Sequence, residues 1–219
     1  MGPASIGCVM ILVMDNEVRP GYRYLAPEIA RFLPTAEYRV YVDEPFDPDL
    51  DAYEGIVISG STASVYDEEH ADWVETQADL LHRCIDERVP VLGICFGHQL
   101  INRALGGRVD GDRRRATFVE MSDSRQDEIL EGVNPVVPVL HADVVTECGK
   151  NMIATARTDY NDYFCTRHEN APVWTVQFHP EFTERVAGQP SDWNGGNYSF
   201  DQCNATRVLR NFGEACSGV

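Results

Sequence analysis

Short apolar runs alternate with amphipathic stretches along the first half of the chain. The runs are of strand length, are bounded by turn-forming residues, and cover residues 7–14, 38–42, 55–59 and 89–94. Between the last two runs, the apolar side chains from Trp73 to Ile85 recur at helical spacing. Strands that alternate with helices form βαβ units, which build a mainly parallel sheet with helices on its faces. The chain is therefore predicted to be an α/β protein.

The pattern changes after Gly107. Five further strand-like segments follow with little helix between them, at residues 117–121, 136–145, 152–158, 163–168 and 173–178. We expect these late strands to extend the sheet or to form an antiparallel flap, and residues 204–215 to close the domain as an amphipathic helix. A chain of 219 residues is long enough to bury the core of one large α/β domain. Residues 1–219 are therefore predicted to form a single domain.

The composition is strongly acidic, with 35 Asp and Glu residues against 18 Lys and Arg and a formal net charge of -17. A surface of this charge repels nucleic acid, so no nucleic-acid partner is expected. In molar salt the charge is well screened, because the Debye length falls to about 3 Å. Lys150 is the single lysine, and an acid-rich, lysine-poor composition is typical of proteins from a high-salt cytoplasm. An ordinary acidic cytosolic protein is the alternative.

No segment indicates export or a membrane. The apolar run at residues 6–14 lacks a basic flank and a small-residue cleavage site, and no stretch approaches the roughly 20 apolar residues of a membrane helix. A soluble cytoplasmic protein without a membrane partner is expected. The seven cysteines contain no C-x-x-C pair, which favours reduced thiols over a disulfide framework or a metal site.

One cysteine stands in a distinctive local pattern. The segment Gly93-Ile94-Cys95-Phe96-Gly97 follows a predicted strand and opens a predicted helix. This G-x-C-x-G order is a nucleophile-elbow pattern, in which glycines flank a residue held in a strained, exposed turn. The N-terminus of the helix also favours a thiolate, because its unpaired N–H groups stabilise negative charge. Cys95 is therefore the candidate nucleophile.

Cleavage of an amide by a thiolate also needs a group that removes and returns a proton. His179 is the best candidate, since it follows the strand predicted at 173–178 and precedes Glu181 by two residues. A carboxylate at that distance can bond the second imidazole nitrogen and fix the tautomer. His98, on the elbow helix itself, is predicted to point away from Cys95.

The two motifs, Gly-Ile-Cys-Phe-Gly-His-Gln and Gln-Phe-His-Pro-Glu, resemble those of class I, or triad, glutamine amidotransferases. The resemblance is closest to the glutaminase domain of GMP synthase and its stand-alone relatives, and it covers nearly the whole chain. It implies a flavodoxin-like three-layer fold. It also implies that Cys95 is the nucleophile, His179 the general base and acid, and Glu181 the residue that orients His179.

Other segments match the family as well. Residues 59–65 are similar to its oxyanion loop, in which backbone N–H groups near Gly60 and at Phe96 would hold the oxyanion. The family often has a proline where this chain has Thr62. The resemblance further implies that three residues help to seat the substrate, namely Ser61, Gln99 and His141.

Two of these features leave alternatives open. His141-Ala142-Asp143 is similar to a His-Gly-Asp-like loop, but alanine lacks the positive-φ freedom of glycine, and His141 is nearly as well explained as a structural polar residue. Arg113-Arg114-Arg115 is the one basic cluster. It is a candidate contact for an anionic substrate or a partner subunit, whereas a solvated loop paired with acidic neighbours is the simpler interpretation.

The resemblance implies that the chain hydrolyses glutamine to glutamate and ammonia through a thioester, with no metal or organic cofactor. The sequence contains no phosphate-binding loop, so ammonia is expected to serve a separate ATP-dependent synthetase, such as that of GMP synthase. One alternative is a stand-alone hydrolase of γ-glutamyl compounds. Another is a catalytically silent member that binds a metabolite or a partner.

Overall fold

The computed structural model describes residues 10–123 and 127–218. The first predicted strand, at residues 7–14, therefore lies partly outside the described residues, and Cys8 lies wholly outside them. The helices are α1 (Leu25–Phe32), α2 (Ala71–Glu87), α3 (Phe96–Ala104) and α4 (Arg207–Ser217). The strands are β1 (Ile11–Asp15), β2 (Ala36–Val40), β3 (Gly55–Ile58), β4 (Val91–Ile94), β5 (Arg108–Glu120), β6 (Ser122–Asp123), β7 (Val136–Glu147), β8 (Met152–Arg157), β9 (Cys165–His168) and β10 (Val173–Val176).

The main sheet has eight strands in the order β2-β1-β3-β4-β10-β9-β8-β6. The first five strands in this order, from β2 at the edge to β10, are parallel to one another. The last three, β9, β8 and β6, continue the sheet in antiparallel pairing. The remaining strands, β5 and β7, form a separate antiparallel pair. The predicted mainly parallel α/β fold is confirmed, and the late strands take both expected forms.

Helices cover both faces of this sheet. One apolar core packs α1 and α4 against the sheet, and a second packs α2 and α3 against the other face. Strands β1, β3, β4 and β10 are buried at every position, which is typical of central parallel strands covered on both sides. Among residues 10–123 and 127–218, no helix is long and apolar enough to cross a bilayer.

The parallel strands bring the predicted site together. Gly60 follows β3 by two residues, Cys95 directly follows β4, and His179 lies three residues beyond β10. Because β3, β4 and β10 are parallel neighbours, these residues all leave the sheet at its carboxyl edge. That edge is the usual ligand-binding edge of an open α/β sheet.

Candidate active site

Cys95 occupies a sharp turn between β4 and α3. Its backbone has φ 52° and ψ -101°, an unfavourable conformation for a residue with a Cβ. The Cys95 N–H donates to the carbonyl oxygen of Val176 at 2.8 Å, and its own carbonyl accepts from the N–H of Gln99 at 3.1 Å. Hydrogen bonds to β10 and α3 therefore hold the strained turn in place.

The glycines of the elbow allow close packing beneath the cysteine. A Cβ on Gly97 would overlap the carbonyl oxygen of Ile58 in β3. A Cβ on Gly93 would lie 2.7 Å from the carbonyl carbon of Gly97. The start of α3 can approach β3 and β4 this closely only without side chains at these two positions.

His179 and Glu181 form a buried pair beside the cysteine. The Nδ1 atom of His179 lies 2.7 Å from Oε1 of Glu181, and the two residues are 2% and 0% exposed. The Cys95 side chain lies close enough to the imidazole to raise its pKa. His179 thus bonds Glu181 and lies beside Cys95, so the three candidate residues are close together.

The charges in this group reinforce one another. Burial by itself lowers the pKa of His179, but the Glu181 carboxylate and the Cys95 sulfur outweigh it and raise that pKa to about 10. The raised pKa favours the protonated form of the imidazole. A protonated imidazole beside a cysteine in general favours the thiolate, which is the nucleophilic form.

The loop after β3 lies against the same group. A Cβ on Gly60 would be 2.8 Å from Cε1 of His179 and 3.6 Å from Cβ of Cys95, so the loop backbone passes directly beside both side chains. Phe96 is the first residue of α3, and N–H groups of a first helical turn have no partner within their own helix. The backbone of two segments, the loop at Gly60 and the start of α3, therefore lies beside Cys95.

These groups face a cavity of about 500 Å³ at the carboxyl edge of the sheet. Six of the predicted site residues line it, namely Gly60, Ser61, Cys95, Gln99, His141 and His179. Glu181 and Phe96 are buried behind them. In the described parts of the chain, no group of His, Cys, Asp and Glu side chains is arranged to hold a metal ion.

Gln99 and His141 are held by the same carbonyl group. The side-chain amide of Gln99 and Nδ1 of His141 lie 3.0 Å and 3.1 Å from the carbonyl oxygen of Asp143. The other ring nitrogen of His141 bonds the hydroxyl of Tyr160 at 3.0 Å. Burial, with Arg115 and His179 nearby, lowers the pKa of His141 to about 3. Both ring nitrogens of a neutral His141 thus bond protein groups, which favours the structural role for its ring.

His98 belongs to the core rather than to the cavity. It is 0% exposed, and its Nδ1 lies 2.7 Å from the hydroxyl of Thr175 in β10. Burial lowers the pKa of His98 to about 3, so its ring is neutral. This histidine is directed into the protein interior.

The basic cluster pairs with acidic neighbours. Arg114 binds Asp192 with 2.9 Å between Nε and Oδ2. Arg115 binds Asp112, and its guanidinium lies 3.6 Å from the centre of the Tyr160 ring. The pairing with acidic neighbours is therefore found for Arg114 and Arg115, but the predicted solvated loop is wrong, because the cluster lies in β5 and Arg115 is buried. Arg113 is exposed.

Sequence reasoning missed the acidic residues at the end of β1 and just after it. Asp15 and Glu17 line the cavity and are 1% and 7% exposed. The signal for them was present, because the polar triplet Asp15-Asn16-Glu17 ends the first buried strand at the carboxyl edge. Two residues of this triplet, Asn16 and Glu17, bond the loop that contains Gly60.

The chain belongs to the class I glutamine amidotransferase family, whose model matches residues 29–191. It is similar to one subunit of the glutamine-hydrolyzing GMP synthase of Methanopyrus kandleri, with 31% identity over 80% of this chain and 91% of that protein. The corresponding subunit from Pyrococcus abyssi is 34% identical, over 58% of this chain and only 61% of that protein.

Solved structures show the same fold. A glutamine amidotransferase from Thermotoga maritima superimposes with a TM-score of 0.77 and 15% identity, and the match covers 97% of this chain and 99% of that one. A glutamine amidotransferase from Methylobacillus flagellatus gives a TM-score of 0.68 at 18% identity, over 95% and 92% of the two chains. At these identities the likeness concerns the fold.

Proposed function

We propose that this protein hydrolyses the side-chain amide of glutamine through a thioester on Cys95. The observation that carries the proposal is the His179–Glu181 pair beside Cys95, with Cys95 in a strained turn and with Cys95 and His179 lining a cavity. A nucleophile, a base bonded to it and a carboxylate that orients the base make up the general arrangement for covalent acyl transfer.

In the proposed reaction, the Cys95 thiolate attacks the amide carbon of the glutamine side chain and forms a carbon–sulfur bond. His179 gives its proton to the nitrogen as the carbon–nitrogen bond breaks, and ammonia leaves. His179 then takes a proton from water, which attacks the thioester and releases glutamate and the free thiolate. Backbone N–H groups of Gly60 and Phe96 would stabilise the oxyanion, and each such donor is worth about 2.7 to 4 kcal/mol.

The proposal includes a partner for the ammonia. The relatives from Methanopyrus kandleri and Pyrococcus abyssi are each named as one subunit of a GMP synthase, a name that indicates a separate second subunit. We therefore assign the use of ammonia to an ATP-dependent synthetase subunit outside this chain.

One observation favours a second candidate, a stand-alone hydrolase of larger γ-glutamyl compounds. The cavity of about 500 Å³ lies within the size range of pockets that enclose drug-sized ligands, so it has room beyond one glutamine. A silent binding protein is less well supported, because His179 and Glu181 keep a 2.7 Å contact beside Cys95.

The test is ammonia release from L-glutamine by the purified chain in molar KCl, with Cys95→Ala as the matched control. Release that is lost in the variant would support the glutaminase proposal. Release from a γ-glutamyl dipeptide but not from glutamine would favour the second candidate. Silence with both compounds, even after the addition of the synthetase subunit, would contradict both.

A further inference from the structure

Glu17 is a buried carboxylate whose two oxygens both bind the loop after β3. Its Oε1 accepts from the hydroxyl of Thr62 at 2.6 Å, and its Oε2 accepts from the N–H of Thr62 at 2.8 Å. The same Oε1 accepts from the N–H of Arg19 at 2.8 Å. Hydrogen bonds to a charged acceptor are about twice as strong as neutral ones. Glu17 therefore holds one residue of the loop through both of its donors.

The neighbouring residue holds the other end of the same loop. The N–H of Asn16 donates to the hydroxyl of Ser59 at 3.0 Å. The side chain of Asn16 is fixed in turn by a reciprocal amide pair with Gln77 of α2, in which both contacts are 2.8 Å. Hydrogen bonds from Asn16 and Glu17 thus hold the loop on both sides of Gly60.

The position of Gly60 matters because its backbone passes directly beside Cys95 and His179. Rigid hydrogen bonds at residues 59 and 62 limit the movement of the backbone between them. Thr62 can take part only because it has a backbone N–H and a hydroxyl, two donors that a proline at this position would lack. The carboxylate clamp supplies rigidity to the loop through hydrogen bonds.

We propose that Glu17 is a positioning residue that holds the oxyanion loop in register with Cys95 through Thr62. The inference rests on the proposed function, since it assigns Gly60 to the stabilisation of an oxyanion. It predicts that loss of the clamp slows the chemical step and leaves the nucleophile intact.

The test compares Glu17→Gln with Glu75→Gln, an exposed change on α2 that serves as the matched control. Glu17→Gln replaces one of the two acceptor oxygens with an NH2 group, so in the present geometry one donor of Thr62 faces another donor. We expect kcat to fall about 10-fold to 100-fold with little change in KM, since small misplacements at a reacting centre have effects of this size. Alkylation of Cys95 by iodoacetamide, which forms no oxyanion, should proceed at the wild-type rate in both variants.

A double-mutant cycle with Thr62→Val, which removes the hydroxyl alone, shows whether the two residues act together. The combined loss should be smaller than the sum of the separate losses on a logarithmic scale. Thr62→Ser keeps both donors and should retain most of the activity. Amide hydrogen exchange over residues 59–64 should be faster in Glu17→Gln than in wild type.

Wild-type kcat in Glu17→Gln, or equal loss of kcat and alkylation, would overturn the inference while the proposed function stands. If the wild-type chain itself releases no ammonia, the proposed function fails separately. In that case the exchange measurement decides whether Glu17 holds the loop, and unchanged exchange in Glu17→Gln would overturn that part too.

Discussion

Nδ1 of His179 lies 2.7 Å from Oε1 of Glu181, and neither side chain is exposed to solvent by more than a few per cent. Glu181→Gln removes the charge that raises the pKa of His179 and allows the amide to donate as well as accept. We expect kcat for ammonia release to fall about 10²-fold to 10⁴-fold, because the carboxylate no longer fixes the tautomer of the imidazole or stabilises its positive charge. A rate within about threefold of wild type would exclude the proposed role of Glu181.

Gly60→Ala should damage catalysis more than stability. The added methyl would lie 2.8 Å from Cε1 of His179 and must displace the ring or the loop. We expect kcat to fall about 10²-fold or more, the effect of losing one oxyanion donor. The matched control is Gly188→Ala, where no atom of the described residues lies within 4 Å of the new methyl. Equal kcat values for the two variants would contradict the placement of Gly60.

Gly97→Ala should instead destabilise the fold. Its new methyl would overlap the carbonyl oxygen of Ile58, so α3 must move away from β3. Overpacking of this kind costs about 1 to 3 kcal/mol or more. Urea unfolding at neutral pH measures this cost against Gly188→Ala, for which a change below about 0.5 kcal/mol is expected. Comparable stability of the two variants would show that the elbow is looser than described.

His98 should make the protein sensitive to mild acid. Its pKa is lowered from 6.5 to about 3 by burial, so below pH 6.5 the unfolded chain binds a proton that the folded chain excludes. Stability is therefore lost as the pH falls from 6.5 towards 3, by about 2 kcal/mol at pH 5 from this group. The contribution of His98 to the free energy of unfolding therefore declines continuously as the pH falls from 6.5 to 3.

In His98→Gln, the decrease in the free energy of unfolding between pH 7 and pH 5 should be smaller than in wild type by that amount. The variant should also be less stable at pH 7 by about 1 to 3 kcal/mol, because the buried hydrogen bond between His98 and Thr175 is lost. Urea titrations at both pH values provide the measurement. An unchanged pH dependence would mean that His98 titrates normally in the folded protein.

Much of the fold could be predicted because the central strands are apolar throughout and the helices have one apolar face. The strand predicted at 136–145 corresponds to Val136–Glu147, and the one at 152–158 to Met152–Arg157. By contrast, only residues 117–121 were predicted of the strand Arg108–Glu120. Its first half is rich in charged, exposed side chains, and its pairing with β7 is a long-range contact that no local pattern reveals.

The candidate site likewise contains residues that the sequence predicts and contacts that it does not. Cys95, His179 and Glu181 stand in short motifs whose chemistry can be recognised from neighbouring residues. The contact between Glu17 and Thr62 joins residues 45 positions apart, and the sequence holds no local sign of it. Arg114 pairs with Asp192 across 78 positions. The sequence left two interpretations of the basic cluster open for the same reason.

The central claim is that a glutamyl thioester forms on Cys95, and hydroxylamine tests it directly because it intercepts thioesters. The purified chain, incubated in molar KCl with L-glutamine and hydroxylamine, should produce γ-glutamyl hydroxamate, and Cys95→Ala should produce none. A γ-glutamyl dipeptide should serve as donor in its place if the substrate is larger than glutamine. Equal hydroxamate formation by wild type and Cys95→Ala, or none from wild type with either donor and the synthetase subunit present, would contradict the claim.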